Sequence, residues 1–318
     1  MPAKSAAPSL APMPANGASS IIYLGTPEIA VAPLQALVAA GCNIQLVITR
    51  PDTRRGRGKL TSACPVKQAA LELGLRVSDS LEELVVMSAQ NPNLLGVVIA
   101  YGAIIPMDIL SVVPMINVHF SLLPRWRGAA PVERAILAGD AKTGVSIMRI
   151  VEGLDQGEVY SRSEVSISAT DTLESLRKRL VDASLPLLIS AVKNGVGHGV
   201  DQTGEVSYAK KISADELRID WSTSAVQIDR LIRVGGAYTN IAGKRIKIVS
   251  AKISPNISSN ISANQTPGAV SVISKHECEV ATSDGVISLT EVQPEGKSVM
   301  TVEVWLNGAR IETGAVFG

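Results

Sequence analysis

Two polar side chains interrupt an otherwise apolar stretch, "INVHF" at residues 116–120. Asn117 and His119 stand two positions apart, so in a strand they would point to the same face of a sheet. An amide donates N–H hydrogen bonds, and an imidazole can donate or accept a proton near neutral pH. Together they could cradle an oxygen atom that becomes negatively charged during a reaction.

A carboxylate for the same site could come from Asp155 in "EGLDQG". The glycines on both sides would let the backbone of this turn come close, if the turn folds back over the end of the strand. An aspartate between glycines is most often only a turn former, and a lone histidine in a strand is usually a half-buried residue. Spacing alone therefore leaves the Asn–His–Asp site open.

Two clusters of cations could meet phosphate groups. The loop "PDTRRGRGKL" carries Arg54, Arg55, Arg57 and Lys59 between glycines, and a predicted strand in "GKRIKIVSAK" carries Lys244, Arg245 and Lys247. Either cluster could equally be an ordinary solvated surface. Acidic and basic residues nearly balance over residues 201–318, so only an asymmetric face of that region could follow a nucleic-acid backbone.

The elements that must position these residues follow an alternating pattern. Apolar strands are predicted at 21–24, 43–50, 96–102 and 116–120, with helices between them, which favours βαβ crossovers and a mostly parallel sheet. Ligands of such sheets bind beyond the carboxyl ends of the strands, where Asn117 and His119 would stand. Residues 144–167 predict a hairpin with a tight turn, and residues 171–195 predict two helices separated by a proline step. After about residue 220, short strands with Gly, Asn and Ser turns suggest a small barrel.

Composition excludes several classes of protein. The net charge of +1 does not indicate a polyanion partner for the whole molecule, and 3% aromatic residues argue against base stacking as the main binding device. No apolar run is long enough for a membrane helix. Three separated cysteines and three histidines without metal-ligand spacing lead us to expect a cytoplasmic protein with no metal. Residues 1–20, rich in Ala, Pro and Ser, predict a disordered tail.

The stretch "INVHFSLLPRWRGAAPVERAILAGDAKTGVSIMRIVEGLDQGEVY" resembles the signature of the 10-formyltetrahydrofolate-dependent formyltransferases. Within that family it is similar to the members that act on charged initiator tRNA. Five further stretches occur in the family's order and extend the resemblance over residues 21–310: "YLGTPEIA", "PDTRRGRGKL…PVKQAA", "YGAIIP", "YAKKISADELRIDWSTSAVQIDRLIR" and "QPEGKSVM…LNGAR".

The resemblance implies an α/β fold: a Rossmann-like formyltransferase domain at 21–205, after the tail at 1–20, and a small OB-like β-barrel domain at 206–318 that binds tRNA. It implies formyl transfer from 10-formyltetrahydrofolate, the co-substrate, to the α-amino group of methionine on initiator tRNA. The family's catalytic trio falls on Asn117, His119 and Asp155. Its folate-contacting "SLLP" falls on Ser121, Leu122, Leu123 and Pro124, and its tRNA-contacting loop on Arg54, Arg55, Arg57 and Lys59.

Other functions share part of this pattern. A folate-dependent formyltransferase acting on a small amine such as glycinamide ribonucleotide would use the same Asn–His–Asp chemistry, but it would lack the C-terminal barrel. Hydrolysis of the formyl-folate and a catalytically silent tRNA-binding protein are further alternatives. Nothing in the sequence demands more than a monomer.

Overall fold

The computed structural model of the chain describes residues 9–54, 61–254, 266–274 and 276–318, without the side chains of residues 53, 54 and 61. The chain forms two compact units. The first combines Met1–Val132, Lys142–Ser166 and Leu176–Lys210, and the second combines Glu133–Ala141, Ile167–Ser175 and Lys211–Gly318. The expected division at residue 205 stays a prediction.

The first unit is built on a seven-stranded sheet in the order β10-β9-β7-β6-β1-β2-β5. Strands β1, β2, β5, β6 and β7 run parallel, and β9 pairs antiparallel with both of its neighbours, β7 and β10. The predicted mostly parallel sheet is confirmed. Two short pairs, β3 with β4 and β8 with β11, lie outside it. The strands are β1 (Ser20–Gly25), β2 (Ile44–Ile48), β3 (Thr53–Arg54), β4 (Thr61–Ser62), β5 (Val77–Ser78), β6 (Leu94–Ile99), β7 (Met115–His119), β8 (Arg127–Gly128), β9 (Lys142–Arg149), β10 (Val159–Ser166) and β11 (Tyr208–Ala209).

Continuous apolar runs explain why the central strands are buried on both faces. Every residue of β1 and β6 is buried, as expected for parallel strands that helices cover on both sides. The helices that begin in this part of the chain are α1 (Val31–Ala39), α2 (Pro65–Glu72), α3 (Glu83–Gln90), α4 (Met107–Leu110), α5 (Pro131–Ala138) and α6 (Leu173–Asn194).

Helix α6 corrects the predicted helix pair. It continues through Pro186 as one helix of 22 residues, although a proline removes one backbone hydrogen bond. Apolar side chains at helical spacing are buried along it, and their packing outweighs the lost bond. Four of them are Leu176, Leu180, Leu188 and Val192.

The expected disorder of residues 1–20 is wrong for residues 9–20; residues 1–8 lie outside the described ranges. Ser20 already belongs to β1. The backbone N–H of Ala11 donates to the Leu110 carbonyl, and the Ala11 carbonyl accepts from Arg149 Nη2 at 2.8 Å. Composition gave no sign of this order, because the contacts use backbone groups that every residue carries.

Strands β9 and β10 form the predicted hairpin, but the tight turn is wrong. Residues 150–158 connect the two strands, a longer segment than a two-residue turn. This connection holds Asp155, whose φ of +48° places it in the left-handed region. The extra length is what allows the segment to fold back rather than simply reverse direction.

The second unit has an antiparallel sheet in the order β12-β13-β16-β15-β14, with β17 paired to β16. Trp221 and Trp305 each stack on Phe317 in its core, with centroid distances of 5.4 and 6.2 Å. The predicted fold class, a Rossmann-like α/β domain followed by a β domain, is confirmed. The elements are α7 (Ala225–Val234), β12 (Tyr238–Ile241), β13 (Lys244–Ile253), β14 (Val270–Ser274), β15 (Glu277–Ala281), β16 (Val286–Pro294), β17 (Met300–Thr301) and α8 (Val302–Ala309).

Within the described ranges, no helix combines the length and the apolar character that crossing a membrane requires.

Candidate active site

Strand β7 presents Asn117 and His119 from the interior of the sheet. Its neighbours fix it on both sides: Asn117 pairs with Val98 of β6 and with Met148 of β9. His119, the last residue of the strand, is 5% exposed, and Asn117 is half-buried. Both side chains therefore hold defined positions at the carboxyl end of a parallel strand, where the sequence predicted them.

The connection between β9 and β10 brings Asp155 to this strand end. One carboxylate oxygen, Oδ2, accepts a hydrogen bond from the Gly128 backbone N–H at 2.8 Å and lies 3.7 Å from His119 Nδ1. The other, Oδ1, lies 3.5 Å from Asn117 Nδ2, the limit of a hydrogen bond. The structure thus brings together all three residues of the predicted trio.

The imidazole of His119 faces an acceptor at each ring nitrogen. Nε2 lies 2.8 Å from the Trp126 carbonyl oxygen, and because a carbonyl only accepts, Nε2 carries a proton. Nδ1 faces the Asp155 carboxylate. These two acceptors fix the orientation of the ring. Trp126 has a φ of +62°, a left-handed conformation that is rare for a bulky residue and that often occurs at functional sites.

The four predicted folate residues form a loop that begins two positions after His119. Ser121, Leu123 and Pro124 are buried, and Leu122 is half-buried. Ser146 Oγ donates to the Ser121 carbonyl at 2.7 Å. The buried serines hold the shape of the loop, so a ligand beside it would meet backbone groups and Leu122.

Three neighbouring strand ends are tied together by a residue that sequence reasoning missed. Thr26, after β1, donates its hydroxyl to the Tyr101 carbonyl after β6 at 2.9 Å and accepts from the Arg50 N–H after β2 at 3.3 Å. Burial raises the pKa of the Tyr101 phenol, while the Arg50 charge opposes this shift. The position of Thr26 in a strand–turn–helix pattern was the signal that could have identified it.

Gln202 was also missed. It lies in residues 200–213, a connector whose sequence shows no helix or strand periodicity. Its side-chain amide hydrogen-bonds to the carbonyls of Asp155 and Gly157, each at 2.8 Å. A polar side chain in such a segment carries no pattern that would connect it to a turn more than forty positions earlier.

The structure places only part of the predicted basic residues. Arg55, Arg57 and Lys59 lie outside the described residues, and Arg54 is in β3, with its side chain not described. Lys244, Arg245 and Lys247 are exposed at the start of β13.

The guanidinium of Arg245 lies 3.6 Å from the ring centroid of Tyr238 on the neighbouring strand β12. In the described residues, no group of three or more His, Cys, Asp or Glu side chains is placed to hold a metal ion.

Two family models match nearly the whole chain. The model described as formyl transferase matches residues 19–192, and the model described as formyl transferase, C-terminal domain, matches residues 211–310.

A protein named methionyl-tRNA formyltransferase from Neisseria meningitidis serogroup C (strain 053442) is 40% identical over 313 residues, which cover 93% of this chain and 99% of that protein.

Solved structures show the same fold at lower identity. HypX from Aquifex aeolicus, in complex with tetrahydrofolic acid, superposes with a TM-score of 0.63 at 16% identity, covering 90% of this chain and 46% of that one. A methionyl-tRNA formyltransferase from Clostridium thermocellum superposes with a TM-score of 0.52 at 16% identity, covering 74% of this chain and 93% of that one.

Proposed function

Since the chain belongs to the formyl transferase family, we propose that it transfers the formyl group of 10-formyltetrahydrofolate to the α-amino group of methionyl-initiator tRNA. The observation that carries this proposal is the 40% identity, over nearly the full length of both chains, to a protein named for that reaction. The matched C-terminal domain favours tRNA over a small amine such as glycinamide ribonucleotide.

The convergence of Asn117, His119 and Asp155 supports their assignment as the catalytic residues. The neutral amine nitrogen of the methionyl group attacks the formyl carbon, and the carbonyl electron pair moves onto oxygen. An α-amine has a pKa near ~8, so part of it is neutral at physiological pH and needs little activation. The oxyanion of the tetrahedral intermediate is therefore the species that the site must stabilise.

We propose that two hydrogen-bond donors stabilise the oxyanion. The Asn117 amide carries a second N–H besides the one that faces Asp155, and His119 can donate once the substrate oxygen replaces the Trp126 carbonyl at Nε2. Asp155 keeps the imidazole oriented. One such donor commonly changes a rate by ~10²–10³.

The intermediate collapses as the bond between the formyl carbon and N10 breaks. The proton lost by the attacking amine passes to the Asp155 carboxylate and from there to N10, so tetrahydrofolate leaves as a neutral amine. We assign Ser121, Leu122, Leu123 and Pro124 to holding the folate next to the trio. Their position two residues beyond the end of β7 supports this assignment.

For the tRNA we assign two basic segments, the loop with Arg54, Arg55, Arg57 and Lys59, and the start of β13 with Lys244, Arg245 and Lys247. The exposure of the second group supports phosphate contacts. The proposal places the tRNA-binding domain at residues 206–318 and the protein, as a monomer, in the cytoplasm, where charged tRNA and reduced folates occur.

The test is a formylation assay with the purified protein and 10-formyltetrahydrofolate. Methionyl-initiator tRNA, free methionine and glycinamide ribonucleotide are supplied separately as acceptors. We expect formyl-methionyl-tRNA as the product and no turnover of the two small amines. Turnover of glycinamide ribonucleotide without turnover of the tRNA would contradict the proposal.

A further inference from the structure

Gln202 makes four hydrogen bonds with a single side-chain amide. Its Oε1 accepts from Arg127 Nε at 3.0 Å and from Arg127 Nη2 at 2.7 Å. Its Nε2 donates to the carbonyl oxygens of Asp155 and Gly157, each at 2.8 Å. A primary amide has two N–H donors and two acceptor lone pairs, so every hydrogen-bonding group of this side chain is in use.

The donor end of this amide holds the turn that carries the proposed catalytic carboxylate. Asp155 has a φ of +48°, a conformation that costs free energy for a residue with a side chain and persists only when its surroundings impose it. Gln202 donates hydrogen bonds to the backbone carbonyls of Asp155 and Gly157. The direction in which the carboxylate leaves the turn therefore depends on these two bonds.

The acceptor atom of this amide, Oε1, binds Arg127, which lies on the other side of the candidate site from the Asp155 turn. Arg127 lies between Trp126, whose carbonyl accepts from His119, and Gly128, whose N–H donates to the Asp155 carboxylate. Arg127 as a whole residue is only 9% exposed. A neutral amide, rather than a carboxylate, receives these two guanidinium bonds, so no second negative charge is introduced beside Asp155.

We propose that Gln202 is a positioning residue for formyl transfer: it clamps the Asp155 turn to Arg127, and so sets the carboxylate against His119 and Asn117. The inference rests on the proposed function, because Gln202 acts through Asp155. The connector supplies none of the three proposed catalytic residues, and its sequence predicted no role for it; the inference gives it one.

The connector has other attachments that do not involve Gln202. Ser207 accepts a hydrogen bond from the Trp126 N–H at 2.9 Å, β11 pairs with β8, and Val200 forms a bridge with Val159. Substituting Gln202 should therefore leave the connector in place and change mainly the Asp155 turn.

Two variants separate the ends of the clamp. Gln202→Met has a similar shape and loses all four bonds, whereas Gln202→Glu keeps acceptors for Arg127 and loses both N–H donors to the turn. Gln227→Met is the matched control, since Gln227 binds the backbone N–H of Ser224 at the start of α7 in the other unit. For each protein, kcat, the KM of both substrates and the thermal midpoint are measured.

We expect both Gln202 variants to lose about 10- to 100-fold in kcat, as a displacement of about 1 Å in a catalytic group can cause. Both KM values and the thermal midpoint of the Gln202 variants should stay near those of the wild type. Gln227→Met, which loses a helix-capping bond, should keep the wild-type kcat and KM values. Equal losses in the two variants would locate the effect in the two bonds to the turn rather than in the two bonds from Arg127.

Three results would overturn the proposal: kcat within about twofold of the wild type in both variants, a loss confined to Gln202→Met, or loss of folding in both. Wild-type turnover of methionyl-tRNA tests the proposed function separately. The kcat ratios are taken with whichever amine the wild type formylates, so failure of the clamp and failure of the assigned acceptor give different results.

Discussion

The Asp155 carboxylate connects three groups of the candidate site. It accepts from the Gly128 N–H, faces His119 Nδ1 and lies at the limit of a hydrogen bond to Asn117. Its side chain is 15% exposed, so its interaction with the imidazole is weakly screened by solvent. This single half-buried charge therefore holds the histidine in its orientation.

Replacing this charge tests its role at the scale of the residue. Asp155→Asn keeps an oxygen that can accept from Gly128, but it removes the negative charge opposite His119. We expect kcat for formylation to fall about 10²- to 10⁴-fold, the range that general acid–base groups contribute. The matched control is Asp182→Asn, which removes an exposed carboxylate paired with Lys178 on α6 and should leave kcat unchanged. A kcat for Asp155→Asn within about tenfold of the wild type would contradict the assignment.

At the scale of elements, the sequence predicted those features that follow from the spacing of residues along a strand or helix. Two residues two positions apart in a strand must share a face, so Asn117 and His119 followed from the pattern. The proximity of Asp155 did not follow, because it depends on how residues 150–158 fold back, and a turn sequence fixes no such path. That contact was implied only by the family resemblance. Gln202 had no signal at all.

Two glycines, Gly153 and Gly157, flank Asp155 in the connection between β9 and β10. Substituting each of them tests whether the turn needs glycine for a close backbone approach or only for flexibility. A Cβ on Gly157 would overlap the backbone carbonyl of Arg149, whereas a Cβ on Gly153 would meet only the flexible end of Gln156. Gly157→Ala should therefore displace the turn and lower kcat by about 10²-fold. Gly153→Ala, the control, should stay within a few-fold of the wild type. Steady-state kinetics of both variants check this, and equal effects would show that turn flexibility rather than close approach matters.

The ion pair of Arg134 with Glu216 gives a pH-dependent prediction for the second unit. Hydrogen bonds from Arg134 and from the Ser213 N–H lower the pKa of the Glu216 carboxyl to about 2, below its ordinary value of 4.5. Because the folded pKa is the lower one, this stabilisation is complete above pH 4.5 and is lost as the pH falls toward 2. The carboxylate is 41% exposed, so we expect at most about 1 kcal/mol.

Glu216→Gln tests the predicted direction in which this stabilisation changes with pH. Urea unfolding at neutral pH should give a lower free energy of unfolding than for the wild type, and the difference should shrink below pH 4.5. A difference that grows on acidification would show that the carboxylate is not stabilised in its charged form.

At the scale of the whole molecule, charge is nearly balanced, with 30 basic and 29 acidic residues. Attraction for tRNA must therefore come from local groups. Arg245 and Lys247 lie on the exposed side of β13, while the residues that alternate with them, Ile246 and Ile248, are buried. The period-2 pattern of this strand predicted that arrangement, but whether the face meets tRNA is a property that no pattern fixes.

The salt dependence of tRNA turnover tests this face. Removing one cation that binds a phosphate should reduce the slope of log KM against log salt by about one. We expect Arg245→Ala with Lys247→Ala to raise the KM for the tRNA and reduce the slope by roughly 1–2. Lys142→Ala with Lys178→Ala removes the same charge from residues already paired with Glu164 and Asp182 and serves as the control. Equal slopes in both double variants would mean that only net charge matters.

The site is proposed to work because an amide, an imidazole and a carboxylate converge on a formyl oxygen as it becomes negative. The most direct measurement of this is the single-turnover rate of formyl transfer to methionyl-initiator tRNA by Asn117→Ala, with both substrates saturating. We predict a rate about 10²- to 10³-fold below that of the wild type, with unchanged binding of both substrates. A rate close to that of the wild type would contradict the account.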